Sequence, residues 1–284
     1  MNAKVPILDQ CTLAISGTEE LTVERLADYL ARNSNLVFPH RHNFYHCLLF
    51  TEGAGQHSID FESFAIEPWQ IYFMAPGQIH SWDFQGTMQG YVINFEGHFF
   101  KNFLLRADYL TQYSFFSGLV KDEVFVVDEG LRASVVEILN QLLENGSSND
   151  FARIGLLYFF SLLEKQRNPL GHAEAAGYNH TLLRNFFGLI EQHYKTLRLP
   201  KDYAALLYIT PNHLNALVKE MLGKSAGDII RNRVLLEAKR LLVIKDYAVR
   251  EIAYALNFND NSYFTKFFKK IEGITPEEFR RRSS

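Results

Sequence analysis

The sequence predicts a multidomain α and β protein. It has an N-terminal antiparallel β-barrel with trailing helices, then a C-terminal all-α domain with two helix-turn-helix motifs. Three observations predict this. Short β-rich runs broken by Gly and Pro fill residues 35–100. A helix–turn–helix pattern over Ile252–Arg280 has a second copy upstream. Charge divides between the same two halves: residues 1–180 hold 11 Lys/Arg against 21 Asp/Glu, a net −10, and residues 181–284 hold 18 against 11, a net +7. An acidic front and a basic back suggest one half that avoids nucleic acid and one that meets it. The expected bounds are 1–165 for the first domain, 166–180 for a linker and 181–284 for the second domain.

A chain of 284 residues is long enough for more than one core. It holds no run of about eighteen apolar residues, so no membrane span is expected. The N-terminus lacks a basic region followed by an apolar stretch, so no signal peptide is expected. Two cysteines, Cys11 and Cys47, are too few for a disulfide framework and fit a reduced cytoplasmic setting. There is no GxSxG elbow, no GxxxxGK[ST] phosphate loop, no GxGxxG after a strand and no HExxH. The expectation is therefore of no catalysis and no cofactor.

In chain order, Leu21–Ala31 has the apolar spacing of a short amphipathic helix. The runs YHCLLFTEG, QHSIDFESFAI, WQIYFMAPG and GYVINFEG follow, with turn signals between them. Strands this short and evenly spaced suit a barrel or sandwich. His40 and His42 are two apart and so share one strand face. His46 joins them if the strand is regular, and His80 follows Pro76-Gly77. A barrel of this size can enclose one small ligand. The pocket candidates are His42, Tyr45, Trp69, Tyr72, Met74, His80 and Trp82, of which alternation lets only some point inward.

Glu129–Leu143 then reads as a helix with Leu131, Val135, Ile138, Leu139 and Leu142 on one stripe, and Gly146–Asn149 as a turn. Phe151–Glu164 is apolar on nearly every side, which predicts burial against the barrel or a second subunit. Lys165–Asn179 lacks periodicity and holds Pro169, Gly171 and Gly177, as a linker does. Helix resumes at Leu182–Tyr194.

Within the basic half, Ile252, Ala253 and Leu256 form the apolar face of a short helix. Asn257–Asp260 break it, and Phe264, Phe267, Phe268 and Ile271 form the face of a second. Upstream, Ala204 and Leu207, then Leu214, Leu217, Val218 and Met221, repeat that spacing. Gly223 and Ser225 repeat Gly273 and Thr275. Thr210 is a good N-cap and Pro211 suits the first turn of its helix. Off the apolar stripes lie Pro211, Asn212, His213, Asn215 and Lys219 in one copy. Asn261, Ser262, Tyr263, Thr265, Lys266 and Lys269 lie there in the other. Short hydrogen-bonding groups read base edges and cations meet phosphates. Ala226–Ile244 between the copies reads as one long helix of roughly 27 Å, close to the ~34 Å between major-groove faces on one side of B-DNA.

These residues carry a resemblance. EAKRLL (Glu237–Leu242), EIAYALNFNDNSYFTKFFKK (Glu251–Lys270) and GITPEEFR (Gly273–Arg280) resemble the DNA-binding domain of the AraC/XylS family of bacterial transcription regulators. Asn257 stands where that family usually has Gly. PHRHNFYHCLLFTEG (Pro39–Gly53) with APGQIH (Ala75–His80) resembles the cupin-like sensor domain of many members. The resemblance implies a seven-helix unit reading adjacent major grooves of promoter DNA, contact with RNA polymerase and activation of transcription. It also implies a small-molecule effector in the barrel and a homodimer formed through the helices behind it. Metal-binding cupins use two His and a Glu, then a later His. Here His40, His42 and His80 match, and His46 stands in place of the Glu. A metal (Zn, Fe, Cu or Ni), polar pocket lining and a purely structural role all remain open for this set, and the missing carboxylate speaks against the metal. The rival class is a metal-dependent cupin enzyme that needs an open coordination position on those histidines.

Overall fold

The computed structural model describes residues 7–8, 20–33, 38–100, 103–104, 109–116, 120–145, 150–167, 178–243 and 247–283. They form two compact units, one ending at Arg167 and one starting at Tyr178. Residues 168–177 of the expected linker, the turn at 146–149 and Cys11 lie outside the described residues.

The first unit is built on an eight-stranded sheet with strands β1 (Ile7–Leu8), β2 (Leu21–Arg25), β3 (His40–His42), β4 (Tyr45–Ile59), β5 (Glu62–Ala65), β6 (Gln70–Met74), β7 (Ile79–Phe95) and β8 (Val124–Val126). The hydrogen-bonded order is β1-β3-β7-β4-β6-β8, with β2 on β7 and β5 on β4. All pairings are antiparallel except the short parallel contact of β1 with β3. The long strands β4 and β7 run together from Tyr45 opposite Phe95 to Ile59 opposite His80. Gly90 lets them approach: a Cβ there would sit 1.8 Å from the Leu49 carbonyl oxygen. The expected helix at Leu21–Ala31 is instead β2 followed by α1 (Leu26–Arg32). Leu21–Arg25 has an edge to pair with, on Tyr91–Phe95, and sheet pairing there overrides helical spacing.

Alternation sorts the strand residues into two cores. Leu48, Phe50, Tyr72, Met74 and Val92 point into the barrel, where Leu26 and Tyr29 of α1 close one side. Cys47, Leu49, Ile71, Phe73, Ile93 and Phe95 point outward. They are covered by α3 (Glu129–Asn145) and α4 (Asp150–Arg167), which follow the single turn α2 (Val120–Glu123). Val135, Ile138, Leu139 and Leu142 of α3 bury as their spacing predicts. On α4 only one face is covered: Leu156, Phe159, Phe160 and Leu163 are buried, whereas Phe151, Ile154 and Tyr158 are about half exposed. Within one chain the sheet and α3 reach one side of this helix only, which is the covering by the barrel; the alternative of a second subunit concerns the half-exposed side.

Seven helices make up the second unit among the described residues: α5 (Tyr178–His193), α6 (Pro200–Leu206), α7 (Pro211–Leu222), α8 (Ala226–Val243), α9 (Val249–Ala255), α10 (Asn261–Glu272) and α11 (Pro276–Arg282). α5 begins four residues before the expected Leu182. One continuous core joins them, with Leu214, Leu217 and Val218 of α7, Ile230, Val234, Ala238 and Leu242 of α8, and Phe264 and Phe268 of α10.

Candidate nucleic-acid interface and barrel interior

The two α6–α7 and α9–α10 pairs are built by the same local chemistry. Each first helix ends in a left-handed residue, Tyr208 (φ 57°) and Asn257 (φ 58°). The next amide reaches back over the turn, Ile209 N–H to the Ala204 carbonyl at 3.0 Å and Phe258 N–H to that of Ala253 at 2.9 Å. Each second helix is N-capped, by Thr210 accepting from His213 N–H and by Asp260 accepting from Tyr263 N–H. Each ends at a left-handed glycine, Gly223 and Gly273. Ser225 with Asp228, and Thr275 with Glu278, then start the following helices by the same reciprocal bonds.

This geometry leaves Pro211, Asn212, His213, Ala216 and Lys219 exposed on α7. Asn215 is tied into the fold, donating to the Pro211 carbonyl and accepting from Ala226 N–H, both at 3.2 Å. It caps α8 instead of facing outward as expected. On α10, Ser262, Tyr263, Lys266 and Lys269 are exposed, and Asn261 and Thr265 are half-buried. The two heads differ in charge. Positions equivalent to Lys266, Lys269 and Lys270 are Ala216, Lys219 and Glu220, so the α10 face carries three cations where the α7 face carries one cation and one anion.

Sequence reasoning missed several residues here. Tyr208 is 96% exposed in the α6–α7 turn, and Tyr254 and Lys270 flank the α9–α10 head. Arg198 precedes α6 but donates to the Leu256 carbonyl and lies 4.6 Å from the Phe258 ring centroid, which ties the first head to the turn of the second. The spacing of apolar residues carries no signal for a polar bridge 58 residues long in sequence.

Inside the barrel the expected pocket residues divide by strand parity. His42, Tyr72, Met74, His80 and Trp82 come together with His40 and His46. Tyr45 does not: it faces outward and stacks on Phe95. Trp69, held at φ 67°, lines a separate groove of about 640 Å³ along α3 with Arg132 and Asn140. Trp82 also lines a groove of about 410 Å³ beside α1, with Leu30, Asn33, Phe84 and Met88. His57 joins the cluster unexpectedly. It lies eleven residues after His46, which on a regular strand is the opposite face, but register shifts at Phe50–Glu52 and Glu52–Ala54 reverse the parity.

All five histidines are buried. Burial is the first cause that lowers each pKa, with repulsion among the imidazoles adding to it for His42, His57 and His80. His46 falls to about 4 and His57 to about 3, so the cluster is neutral at physiological pH. His80 Nε2 is 2.8 Å from His42 Nε2, and its Nδ1 is 3.2 Å from His57 Nε2. His40 Nδ1 meets the Phe38 carbonyl and His46 Nδ1 meets Asn94 Oδ1.

A double helix-turn-helix unit with polar and basic exposed faces, in a chain that also holds a barrel with a polar interior, is the arrangement of a DNA-binding regulator with a ligand-binding domain. Two family models match the chain: an AraC-like ligand binding domain over residues 28–160 and a helix-turn-helix domain over residues 203–282. The chain belongs to the AraC family of transcriptional regulators. It is 27% identical to the uncharacterized HTH-type transcriptional regulator YijO of Escherichia coli over 168 residues, 59% of this chain and 58% of that one. It is 29% identical to the HTH-type transcriptional regulator GlxA of Rhizobium meliloti over 56% of this chain and 52% of that one. The chain thus spans between half and three fifths of the length of these relatives. The HTH-type transcriptional activator RhaS of Enterobacter is 22% identical over 86% of this chain and 88% of that one. The crystal structure of ToxT from Vibrio cholerae aligns with a TM-score of 0.44 and 15% identity, over 92% of this chain and 97% of that one.

Proposed function

We propose that this protein is a sequence-specific transcription regulator, an activator, whose promoter binding or activity is controlled by a small molecule held in the N-terminal barrel. The observation that carries the reading is the pair of like-built helices α7 and α10 on one core. Asn212, His213, Ser262 and Tyr263 stand near the N-termini of those helices, where base edges are read. Lys219, Lys266 and Lys269 suit phosphates. The α10 head, with its surplus of cations, supplies more of the electrostatic grip, and the α7 head more of the discrimination.

Three partners complete the proposal. His42, Tyr72, His80 and Trp82 are the residues left for the effector once Tyr45 and Trp69 are removed. The half-exposed stripe of Phe151, Ile154 and Tyr158 on α4 suits a homodimer contact. RNA polymerase at the promoter, reached in the cytoplasm, is the target of an activator. No catalytic step is assigned, and no helix among the described residues is long and apolar enough to cross a membrane.

Selection of bound sequences from random duplex DNA with the full-length protein tests this. The expected motif has two conserved blocks about one helical turn apart. No enriched motif, with or without cell extract as a source of effector, defeats the reading.

A further inference from the structure

Arg198 belongs to the segment that leads into α6, in the first helix-turn-helix copy, yet its guanidinium serves the second. It donates to the carbonyl of Leu256, the residue that caps the C-terminus of α9. It also lies 4.6 Å from the centroid of the Phe258 ring. A cation is favourable at a helix C-terminus and over an aromatic face. These two contacts grip either side of Asn257, the left-handed residue at φ 58° that turns the chain from α9 toward α10. The first copy has Ile209 where the second has Phe258, so a guanidinium would find no ring there. The placement has a local cost. No carboxylate pairs with Arg198 among the described residues, and its Nη1 is buried without a partner among them. Burial also pulls its pKa below the ordinary guanidinium value. A buried donor left unpaired destabilises the fold, and local costs of this kind gather at functional sites.

What Phe258 supports says which function. Its ring lies 5.8 Å from that of Tyr263, 5.2 Å from Phe264 and 5.1 Å from Phe267. Phe264 is fully buried and fixes the axis of α10, whereas Tyr263 is 62% exposed near the start of that helix. Tyr263 is held twice, by its ring on Phe258 and by its N–H, which donates to Asp260 Oδ1 at 2.7 Å. We propose that Arg198 is a positioning residue for base reading by α10. It sets the angle at which α10 and the Tyr263 ring meet the DNA and does not itself touch DNA. Base reading by the second head then depends on a residue carried by the first. The inference rests on the regulator reading above.

Selection from random duplex DNA is repeated with full-length Arg198→Met, which keeps an apolar stem and removes the charge and the donors. The expected motif keeps one block and loses preference in the other, the block that Tyr263→Ala also changes. Affinity for the wild-type operator should fall about tenfold, within the discrimination of one base contact. Affinity for random duplex and the salt slope should hold. Thermal unfolding shows whether the variant is folded, and Arg198→Lys covers the case in which it is not. Lysine keeps a cation at the Leu256 carbonyl, gives up the flat stack on Phe258, and should show a smaller loss in the same block. Wild-type preference in both blocks, or equal erosion of the two, overturns the positioning role. So does a slope lower by about 0.9 on operator and random duplex alike, which would make Arg198 a phosphate contact. A wild-type chain that selects no motif defeats the regulator reading and this inference with it. A wild-type motif that the variants leave unchanged defeats this inference alone.

Discussion

Lys266 and Lys269 sit one turn apart on the exposed face of α10, and neither is drawn into an ion pair among the described residues. If both meet phosphates, each releases counterions on binding, and the log–log salt slope steepens by about 0.9 per contact. The double variant K266A/K269A should therefore lose about 1.8 of slope. Between ~50 mM and ~200 mM salt, wild-type binding then weakens about twelvefold more than that of the variant. The variant's deficit is largest at low salt and narrows as salt rises. Fluorescence anisotropy of a labelled operator, titrated at several salt concentrations, measures this. Both substituted side chains are exposed, so the unfolding temperature should hold. A deficit that stays constant across salt, or a slope equal to wild type, would place α10 away from the phosphates and refute the reasoning.

The other expectations concern stability and assembly. Tyr208→Gly relieves a left-handed residue whose side chain is 96% exposed and packs on little, so it should stabilise the helical unit by about 0.5–1 kcal/mol after the added entropy of the unfolded glycine. Asn257→Gly should gain less, because Asn tolerates that conformation better; denaturant midpoints decide both. The buried histidines have folded pKa values below the ordinary 6.5, so the unfolded chain takes up protons first as pH falls. Their contribution is complete above 6.5 and is lost on acidification toward about 4 and below, and a barrel transition that does not move to lower temperature between neutral pH and pH ~5 would contradict it. Ile154→Glu puts an unpaired charge on the α4 stripe and should weaken a homodimer at least ~100-fold in sedimentation equilibrium, without affecting the fold.

What was legible in the sequence follows from where periodicity decides the structure. The helix-turn-helix copies were readable because Leu214, Leu217, Val218 and Phe264, Phe267, Phe268 mark their buried faces directly. Thr210 and Pro211 announced a helix start for the same local reason. The barrel interior was harder. His40, His42 and His80 were legible as a set, but His57 was not, because a bulge in β4 reverses which face its position occupies. Tyr45 was misjudged by one residue of strand parity. For α4 the apolar residues on all sides left two covers open, the barrel or a second subunit, and the barrel with α3 takes the side of Leu156, Phe159, Phe160 and Leu163. Tyr208 gave no signal at all, since its conformation is imposed by the turn and an aromatic residue is a poor choice for it. The Arg198 bridge depends on a tertiary contact that no local pattern encodes.

That bridge, together with the single core under both heads, has a consequence for promoter evolution. The distance and twist between α7 and α10 are set by packed side chains and not by a flexible hinge. One base pair added between two operator blocks turns the second block by about 34–36° around the DNA axis and shifts it by about 3.4 Å. A hinged reader would absorb that change, but this one must unstack its own core or release a block. Point mutations within a block should therefore erode regulation by degrees, whereas single-nucleotide insertions and deletions in the spacer should abolish it, leaving operators across a genome variable in letters and constant in length.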